Sequence, residues 1–166
     1  MTRLEDALRG IQSVRPYTLE ALAGVGDEDW FRMPSEGVTH IGWQVGHLAI
    51  AEYRLLLAQL RGMRPEDEEF VPANYVALFG RGSEPSADKS IYPSPAELRQ
   101  VLDAVHEHAL AQLASFPDDQ LDQQPERDHR ICKTKLDCIE WCARHEMVHV
   151  GQIGLLKRLL GKQPVW

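Results

Sequence analysis

Positive charge is scarce in this 166-residue sequence. Lysine and arginine contribute 18 residues against 25 aspartates and glutamates, so the formal net charge is −7 at pH 7. Nucleic acids and anionic lipid surfaces bind proteins through basic faces, and no cluster of lysine and arginine supplies one here. We therefore predict that neither is a partner. The most acidic stretch, Glu66-Asp67-Glu68-Glu69, is predicted to be a solvated loop.

Long hydrophobic runs and a cysteine framework are also missing. No stretch approaches the roughly 18 uninterrupted apolar residues that a membrane span needs. The first residues, from Met1 to Asp6, contain no hydrophobic signal region. Three cysteines, an odd number, do not make a set of disulfides, and they are typical of a reducing compartment. These features predict a cytoplasmic protein that does not contact the membrane.

The residues that are present favour helices. Apolar residues recur at helical spacing in four segments, at about 3–23, 39–61, 95–116 and 134–160, and no run alternates as a strand would. Each segment is long enough to bury one apolar stripe against its neighbours. The sequence therefore predicts an all-α fold, an antiparallel four-helix bundle, formed by a single domain over residues 1–166.

Two of these segments begin with recognisable capping sequences. Ser94, Pro95 and Glu97 match an N-cap, a proline in the first helical position and the acidic partner of a capping box. Thr134 and Asp137 form a second such pair. These signals predict where the third and fourth helices start.

One connection, between helices two and three, is longer than a bundle needs. It runs from Gly62 to Pro93 and contains Tyr75 and Phe79. Loops of that length in compact proteins are usually functional or disordered. We predict that its aromatic residues pack over a substrate pocket.

The strongest chemical signal is a pair of histidines, His145 and His149, in the last apolar segment. Four residues of α-helix turn by about 400° and rise about 6 Å, so both imidazoles leave the same face. A third histidine, His47, follows Gly46 in another apolar segment. Three neutral imidazoles suit several divalent metals and leave coordination positions open. The alternative is that these histidines are core-edge residues satisfied by backbone carbonyls.

Several neighbours are candidates for supporting such a site. Gln152 and Glu146 are candidate hydrogen-bond partners of the ligands. Cys138 and Cys142 precede His145 at helical spacing, as additional ligands or, more commonly, as small buried hydrophobic residues. Gly46 lacks a side chain where two helices would approach closely.

The segment from His145 to His149 also spells H-E-x-x-H, a zinc-protease motif in which the glutamate acts on water. The extended motif requires glycine and histidine where this chain has Gln152 and Leu155. No acidic residue or histidine follows His149, so no downstream third ligand exists. The sequence argues against a protease.

The remaining polar candidates are weaker. His40 lies seven residues before His47 and either lines the mouth of the site or caps the helix. Arg54, seven residues after His47, either binds a substrate carboxylate or is a surface residue. Surface positions are predicted for three histidines, namely His106, His108 and His129.

Two motifs resemble those of a known family. The Trp43-x-x-Gly46-His47-Leu48 helix, the late His-Glu-x-x-His-x-Gly-Gln-Ile helix and the Leu-Leu-Gly ending at Gly161 resemble the DinB-like superfamily of metal-binding four-helix bundles. Its members include bacillithiol transferases and mycothiol-dependent isomerases. The resemblance is strongest over residues 41–48 and 145–161. It implies His47, His145 and His149 as metal ligands, zinc or nickel as the metal, a homodimer, and a low-molecular-weight thiol as cofactor.

Three functions remain open from the sequence. The first is a metal-dependent transferase that adds a small thiol to an electrophilic small molecule, because a divalent ion lowers the pKa of a bound thiol. The second is a metal-dependent hydrolase on the same three histidines. The third is a metal-binding stress-response protein without catalytic turnover.

Overall fold

A computed structural model describes residues 2–163, and within this range the chain is helical, with no strand. The second helix, α2, combines three consecutive pieces, the α-helix Ile41–Tyr53, a π-helical turn Arg54–Ala58 and a last α-helical turn Gln59–Arg61. The other four α-helices in the described range are α1 Arg3–Leu22, α3 Tyr75–Phe79, α4 Pro95–Ala114 and α5 Lys135–Leu159. The prediction of an all-α protein is confirmed.

The predicted capping boxes start the third and fourth long helices. The Ser94 hydroxyl accepts the Glu97 N–H at 3.3 Å, and the Thr134 hydroxyl accepts the Asp137 N–H at 3.1 Å. In both cases the acidic side chain accepts the backbone N–H of the capping residue. Each box satisfies helix N–H groups that have no partner inside the helix.

The long helices pack in pairs that bring α2 beside α5. α1 lies mainly along α5, and α2 lies mainly along α4, while α2 and α5 also touch each other. Buried side chains form two apolar clusters. One is centred on α2, α3 and α4, and the other lies between α1, the end of α2, the end of α4 and the start of α5. The contact between α2 and α5 is the one that positions the candidate site.

The segment from residue 62 to residue 93 was predicted as a loop covering a pocket, and this is wrong. It contains α3 and two 3-10 helices, Pro65–Glu69 and Lys89–Ile91. Tyr75 and Phe79 of α3 are buried in the first apolar cluster, where their rings pack edge to face at a centroid distance of 5.0 Å. These aromatics form core structure, because burying two large rings stabilises the fold more than exposing them over a pocket would.

The acidic stretch is only partly solvated. Asp67 is buried, and its carboxylate accepts hydrogen bonds from Arg61 at 2.6 Å and from the Tyr53 hydroxyl at 3.0 Å. Burial tends to raise the pKa of this carboxyl, but the bonds from Arg61, the Arg64 backbone and Tyr53 lower it below its usual range. Its neighbours Glu66, Glu68 and Glu69 are exposed, as predicted, but they belong to a 3-10 helix and not to a loop.

A transmembrane helix is absent from the described residues. Over residues 2–163, no helix combines the length and the apolar character that crossing a bilayer requires.

Candidate metal centre

Three histidines from α2 and α5 meet at one point. His47, His145 and His149 each offer a nitrogen, and these ligand atoms all lie within 4.8 Å of one another. Their ring centroids are 4.5 to 5.3 Å apart. His145 and His149 share a face of α5, as their spacing predicts, and the packing of α2 on α5 brings His47 to them. The three predicted site residues are therefore together.

The Nδ1 atoms of two of these rings are held by other groups. The Nδ1–H of His149 donates to the side-chain oxygen of Gln44 at 2.5 Å. The Nδ1–H of His47 donates to the backbone carbonyl of Phe79 at 2.8 Å. With the proton on Nδ1, the lone pair of each ring lies on Nε2. Such outer partners are typical of metal-ligating histidines because they fix both the tautomer and the ring orientation.

The spacing of the two ligand atoms on α5 suits a tetrahedral ion. Nε2 of His145 and Nε2 of His149 are 3.2 Å apart. Two imidazole nitrogens bound to zinc at about 2.0–2.1 Å in tetrahedral geometry would be about 3.3 Å apart. The donor set of three histidines, together with the spacing of this pair, is compatible with a divalent ion, and three ligands leave a coordination position for another molecule.

The rings are neutral at physiological pH, as metal ligands must be. Burial, followed by the effects of the nearby His145 and His47, lowers the pKa of His149 to about 3. Burial, followed by the effect of His47, lowers the pKa of His145 to about 4. The pKa of His47 is lowered as well, mainly by burial. A proton therefore does not compete with a metal ion for these nitrogens until the solution is acidic.

The residues around His47 explain its motif. Trp43 stacks on the His47 ring at a centroid distance of 4.7 Å, and its Nε1–H donates to the Ser83 hydroxyl at 3.0 Å. A Cβ on Gly46 would lie 2.5 Å from the Phe79 ring, closer than real atoms approach. Gly46 is therefore required where α3 meets α2, and this contact also brings the Phe79 carbonyl to His47.

Glu146 points away from the three histidines, so its predicted role as a partner of the ligands is wrong. Its carboxylate accepts from Arg15 Nε at 2.8 Å and from the Thr18 hydroxyl at 2.6 Å, both on α1. Arg15 also donates to Glu52 of α2 at 2.6 Å. Burial tends to lower the pKa of Arg15, but the charges of Glu52 and Glu146 outweigh it and raise that pKa. Because Glu146 is committed to this buried network, the H-E-x-x-H spelling does not indicate a protease.

The cysteines belong to the core of the helices and not to the histidine cluster. Cys138 and Cys142 are buried in the second apolar cluster. Burial raises the pKa of both thiols, and for Cys142 the charges of Glu52 and Glu146 add to that increase. A thiol with a raised pKa stays protonated, and a protonated thiol is a poor metal ligand. Of the two alternatives, additional ligands or small buried hydrophobic residues, the structure therefore favours the second.

The structure also shows where the other predicted polar residues lie. His40 caps α2, because its Nδ1 accepts the Trp43 N–H at 3.0 Å. Gln152 is exposed, and its side chain forms a hydrogen bond with His149. This bond raises the pKa of His149, but burial lowers that pKa by more. His108 is exposed, as predicted. His106 is half-buried, and its Nδ1 lies 2.6 Å from a carboxylate oxygen of Glu52. His129 is half-buried in the wall of a cleft. The prediction of surface positions is therefore wrong for these two histidines.

A cleft opens beside the histidines, and we call it the histidine cleft. Its volume is about 630 Å³, and His47 and His145 form part of its wall. Arg54 also lines it, which favours the substrate-binding alternative over a simple surface role. Sequence reasoning missed four other residues of the site. Gln44 lies three residues before His47, and this helical spacing was an available signal that sequence reasoning did not use. No local signal marked the cleft residues Arg81, Arg127 and Trp141.

Comparison with known families gives one match that spans most of the chain. The sequence model of the DinB superfamily matches residues 11–153, a range that includes all three histidines. No curated protein matches the chain.

Proposed function

The chain belongs to the DinB superfamily, and on that premise we propose that His47, His145 and His149 hold one divalent metal ion for a transferase reaction. In this reaction a low-molecular-weight thiol is added to an electrophilic small molecule. The observation that carries the proposal is the convergence of three neutral imidazoles. Two of them have a hydrogen-bond partner at Nδ1, His149 at Gln44 and His47 at the Phe79 carbonyl. Zinc or nickel is the proposed metal, since three imidazole ligands suit both.

The chemistry requires a thiolate at neutral pH. His47, His145 and His149 would hold a divalent ion that supplies it, because a cation lowers the pKa of a bound thiol below its free value of about 8.5. In the overall reaction a carbon–sulfur bond forms, the bond between that carbon and its leaving group breaks, and the thiol proton is released. The chain's own contribution is to orient the ligands and to provide, in the histidine cleft, a largely apolar wall for the electrophile. Ile50, Leu55 and Trp141 form that wall.

Elemental analysis of the purified full chain tests the metal site. The wild type should contain about one zinc or nickel ion per chain, and the triple variant His47→Ala, His145→Ala, His149→Ala should contain none. His108→Ala is the matched control, because it removes an exposed histidine that lies outside the site and should leave the metal content unchanged. Equal metal content in the wild type and the triple variant would overturn the assignment.

Two alternatives use the same three histidines. A hydrolase would form a water-derived product when no thiol is added, and a non-catalytic stress-response protein would bind metal but show no turnover with any thiol and electrophile. Assays with and without thiol on metal-loaded protein separate the three outcomes. The orientation of Glu146 weighs against the hydrolase, because that carboxylate cannot reach the histidines while it bonds Arg15 and Thr18.

The fold supports a bundle arrangement of the four long helices. We propose that α1, α2, α4 and α5 form an antiparallel four-helix bundle and that α3 is an insertion between its second and third members. The packing of α1 on α5 and of α2 on both α4 and α5 supports this arrangement. Metal sites in bundles are built from side chains on facing helices, which is where the three histidines lie.

A homodimer is the proposed assembly, as the family resemblance implies. Val148, Leu155 and Leu159 of α5 lie on one helical stripe, and each is more than half exposed, at 55%, 58% and 56%. An exposed apolar stripe of this kind favours contact with another protein surface. Sedimentation analysis should show a dimer in the wild type and a monomer in Leu155→Lys. A monomeric wild type would refute the proposal.

The cytoplasm is the proposed location. Cys132, Cys138 and Cys142 are free thiols, and unpaired cysteines are typical of a reducing compartment.

A further inference from the structure

Three arginines from separate parts of the chain line the histidine cleft. Arg54, Arg81 and Arg127 are all exposed, and the cleft wall contains one carboxylate, that of Asp128. The protein as a whole carries a net charge of −7. A concentration of positive charge beside the candidate metal centre is therefore opposite to the overall charge of the molecule.

Two of the three arginines are attached to the same elements that position His47. Arg54 begins the π-helical turn of α2, and π-helical turns are frequent at functional sites. Arg81 follows α3 by two residues. The segment that carries it is fixed at both ends, by the bond from His47 to the Phe79 carbonyl and by the bond from Trp43 to Ser83. Movement of Arg81 relative to the histidines is therefore restricted at the backbone.

The third arginine is fixed by the end of α2. The backbone N–H of Arg127 donates to the side-chain oxygen of Gln59 at 3.0 Å, and the N–H of Glu126 donates to the Gln59 carbonyl at 3.0 Å. The Glu126 carboxylate accepts from Lys135 at 2.9 Å. These bonds hold the segment at the edge of the cleft.

The guanidinium groups of these arginines are not used by the fold. In the part of the chain that the structure describes, Arg54, Arg81 and Arg127 form no ion pair. Other arginines form ion pairs within the fold, such as Arg15 with Glu52 and Arg61 with Asp67. A guanidinium group presents paired N–H donors that match a carboxylate. The unpaired arginines are therefore available to a ligand in the cleft.

We propose that the histidine cleft binds a thiol that carries carboxylate groups, with the sulfur at the histidines and the carboxylates at Arg54, Arg81 and Arg127. The inference rests on the proposed function for the position of the sulfur. The arginines determine which thiol is selected, because a neutral thiol of similar size gains nothing from them. Since the groups are exposed, salt screens the interaction and lowers the affinity.

Binding of two small thiols tests the proposal. The full chain is loaded with Co²⁺, its cobalt content is measured, and mercaptosuccinate, which carries two carboxylates, is compared with neutral 1-thioglycerol. Binding is followed by the thiolate-to-cobalt absorption band. We expect tighter binding of mercaptosuccinate at low salt. Arg54→Gln, Arg81→Gln and Arg127→Gln should each weaken it about threefold to tenfold, with no change for 1-thioglycerol. Arg158→Gln, an exposed arginine outside the cleft, is the control and should bind as the wild type does.

The outcomes separate this inference from the proposed function. If the protein binds cobalt but has equal affinity for the two thiols, the metal centre is supported and the proposed role of the arginines is overturned. Absence of cobalt would refute the metal centre, and calorimetry on the same metal-free protein would then decide the inference. A preference for mercaptosuccinate that disappears in the triple glutamine variant would support it, whereas no preference would overturn it.

Discussion

Gln44 accepts the Nδ1–H of His149 across the contact between α2 and α5. The hydrogen bond joins residues 105 positions apart in the chain, and it determines which nitrogen of His149 faces the other two histidines. His47 is oriented in the same way by the Phe79 carbonyl. At the scale of single residues, the candidate metal centre is therefore built from hydrogen-bond partners as well as from the three histidines.

Removal of the Gln44 amide should weaken metal binding without removing a ligand. Gln44→Ala is expected to lower zinc affinity about 10–100-fold, because His149 loses the acceptor that fixes its tautomer. Competition with a chromogenic chelator measures the affinity. Gln44→Glu keeps an acceptor oxygen and should retain most of it. Equal affinity in the wild type and Gln44→Ala would show that the bond does not contribute.

Glu146 illustrates how adjacent residues on one helix take different roles. It follows His145 directly, yet successive residues are rotated by about 100° around an α-helix, and this turns the carboxylate from the cleft towards α1. There it is buried and bonded to Arg15 and Thr18. A motif written in consecutive letters therefore does not imply one common site.

Truncation of Glu146 should affect stability and spare the metal. Glu146→Ala is expected to lower the free energy of unfolding by about 2–3 kcal/mol, because buried donors on Arg15 and Thr18 lose their acceptor. Metal per chain should stay unchanged. Glu140→Ala on the same helix is the matched control, since its ion pair with Arg144 is solvent-exposed and should contribute little. Loss of metal from a variant of normal stability would contradict this assignment.

At the scale of elements, α3 connects the long segment between α2 and α4 to the site. The Phe79 ring lies against Gly46, and the Phe79 carbonyl accepts from His47. The same residue thus packs the core and orients a candidate ligand. A change in how α3 meets α2 should therefore be felt at the metal centre as well as in the core.

Adding a methyl group at Gly46 tests this connection. Gly46→Ala places a Cβ 2.5 Å from the Phe79 ring, and we expect it to lower the free energy of unfolding by about 1–3 kcal/mol, as overpacking does, and to weaken metal binding. Gly10→Ala is the control. Its Cβ would lie 3.7 Å from Ala143, an ordinary contact, so it should stabilise α1 by about 0.5–1 kcal/mol. Chemical denaturation with parallel metal analysis measures both. Normal stability and metal content in Gly46→Ala would refute the connection.

At the scale of the whole molecule, buried neutral histidines make the fold sensitive to acid. His40 is fully buried between Phe31 and Tyr92, and burial lowers its pKa to about 4, well below the value of about 6.5 expected in an unfolded chain. Between these two values the unfolded chain binds more protons than the folded one. The stabilisation is therefore complete above about pH 6.5 and is lost as the pH falls towards 4.

Replacement of His40 by a non-titrating cap should reduce this acid sensitivity. In metal-free protein, acidification from pH 7 to pH 5 is expected to lower the stability of the wild type by about 1–2 kcal/mol more than that of His40→Asn. Asparagine can still cap α2. Urea denaturation at each pH gives the comparison. Parallel pH profiles for the two proteins would show that His40 does not contribute.

The amino-acid sequence determined the features that depend on near neighbours. Helical periodicity and the capping boxes at Ser94 and Thr134 located the long helices, since helix formation and capping involve groups a few residues apart. The spacing of His145 and His149 placed both rings on one helical face for the same reason. The apolar helical segment around His47 predicted it as the third candidate ligand, and the family resemblance of its motif implied the same role.

The tertiary structure alone decided what meets across the chain. It brought Gln44 to His149, turned Glu146 towards Arg15, buried Tyr75 and Phe79 in the core, and gathered the cleft arginines Arg54, Arg81 and Arg127. Each of these contacts depends on how helices pack and on which groups must be buried or paired. Such packing is a property of the assembled core, and no local window of residues contains it.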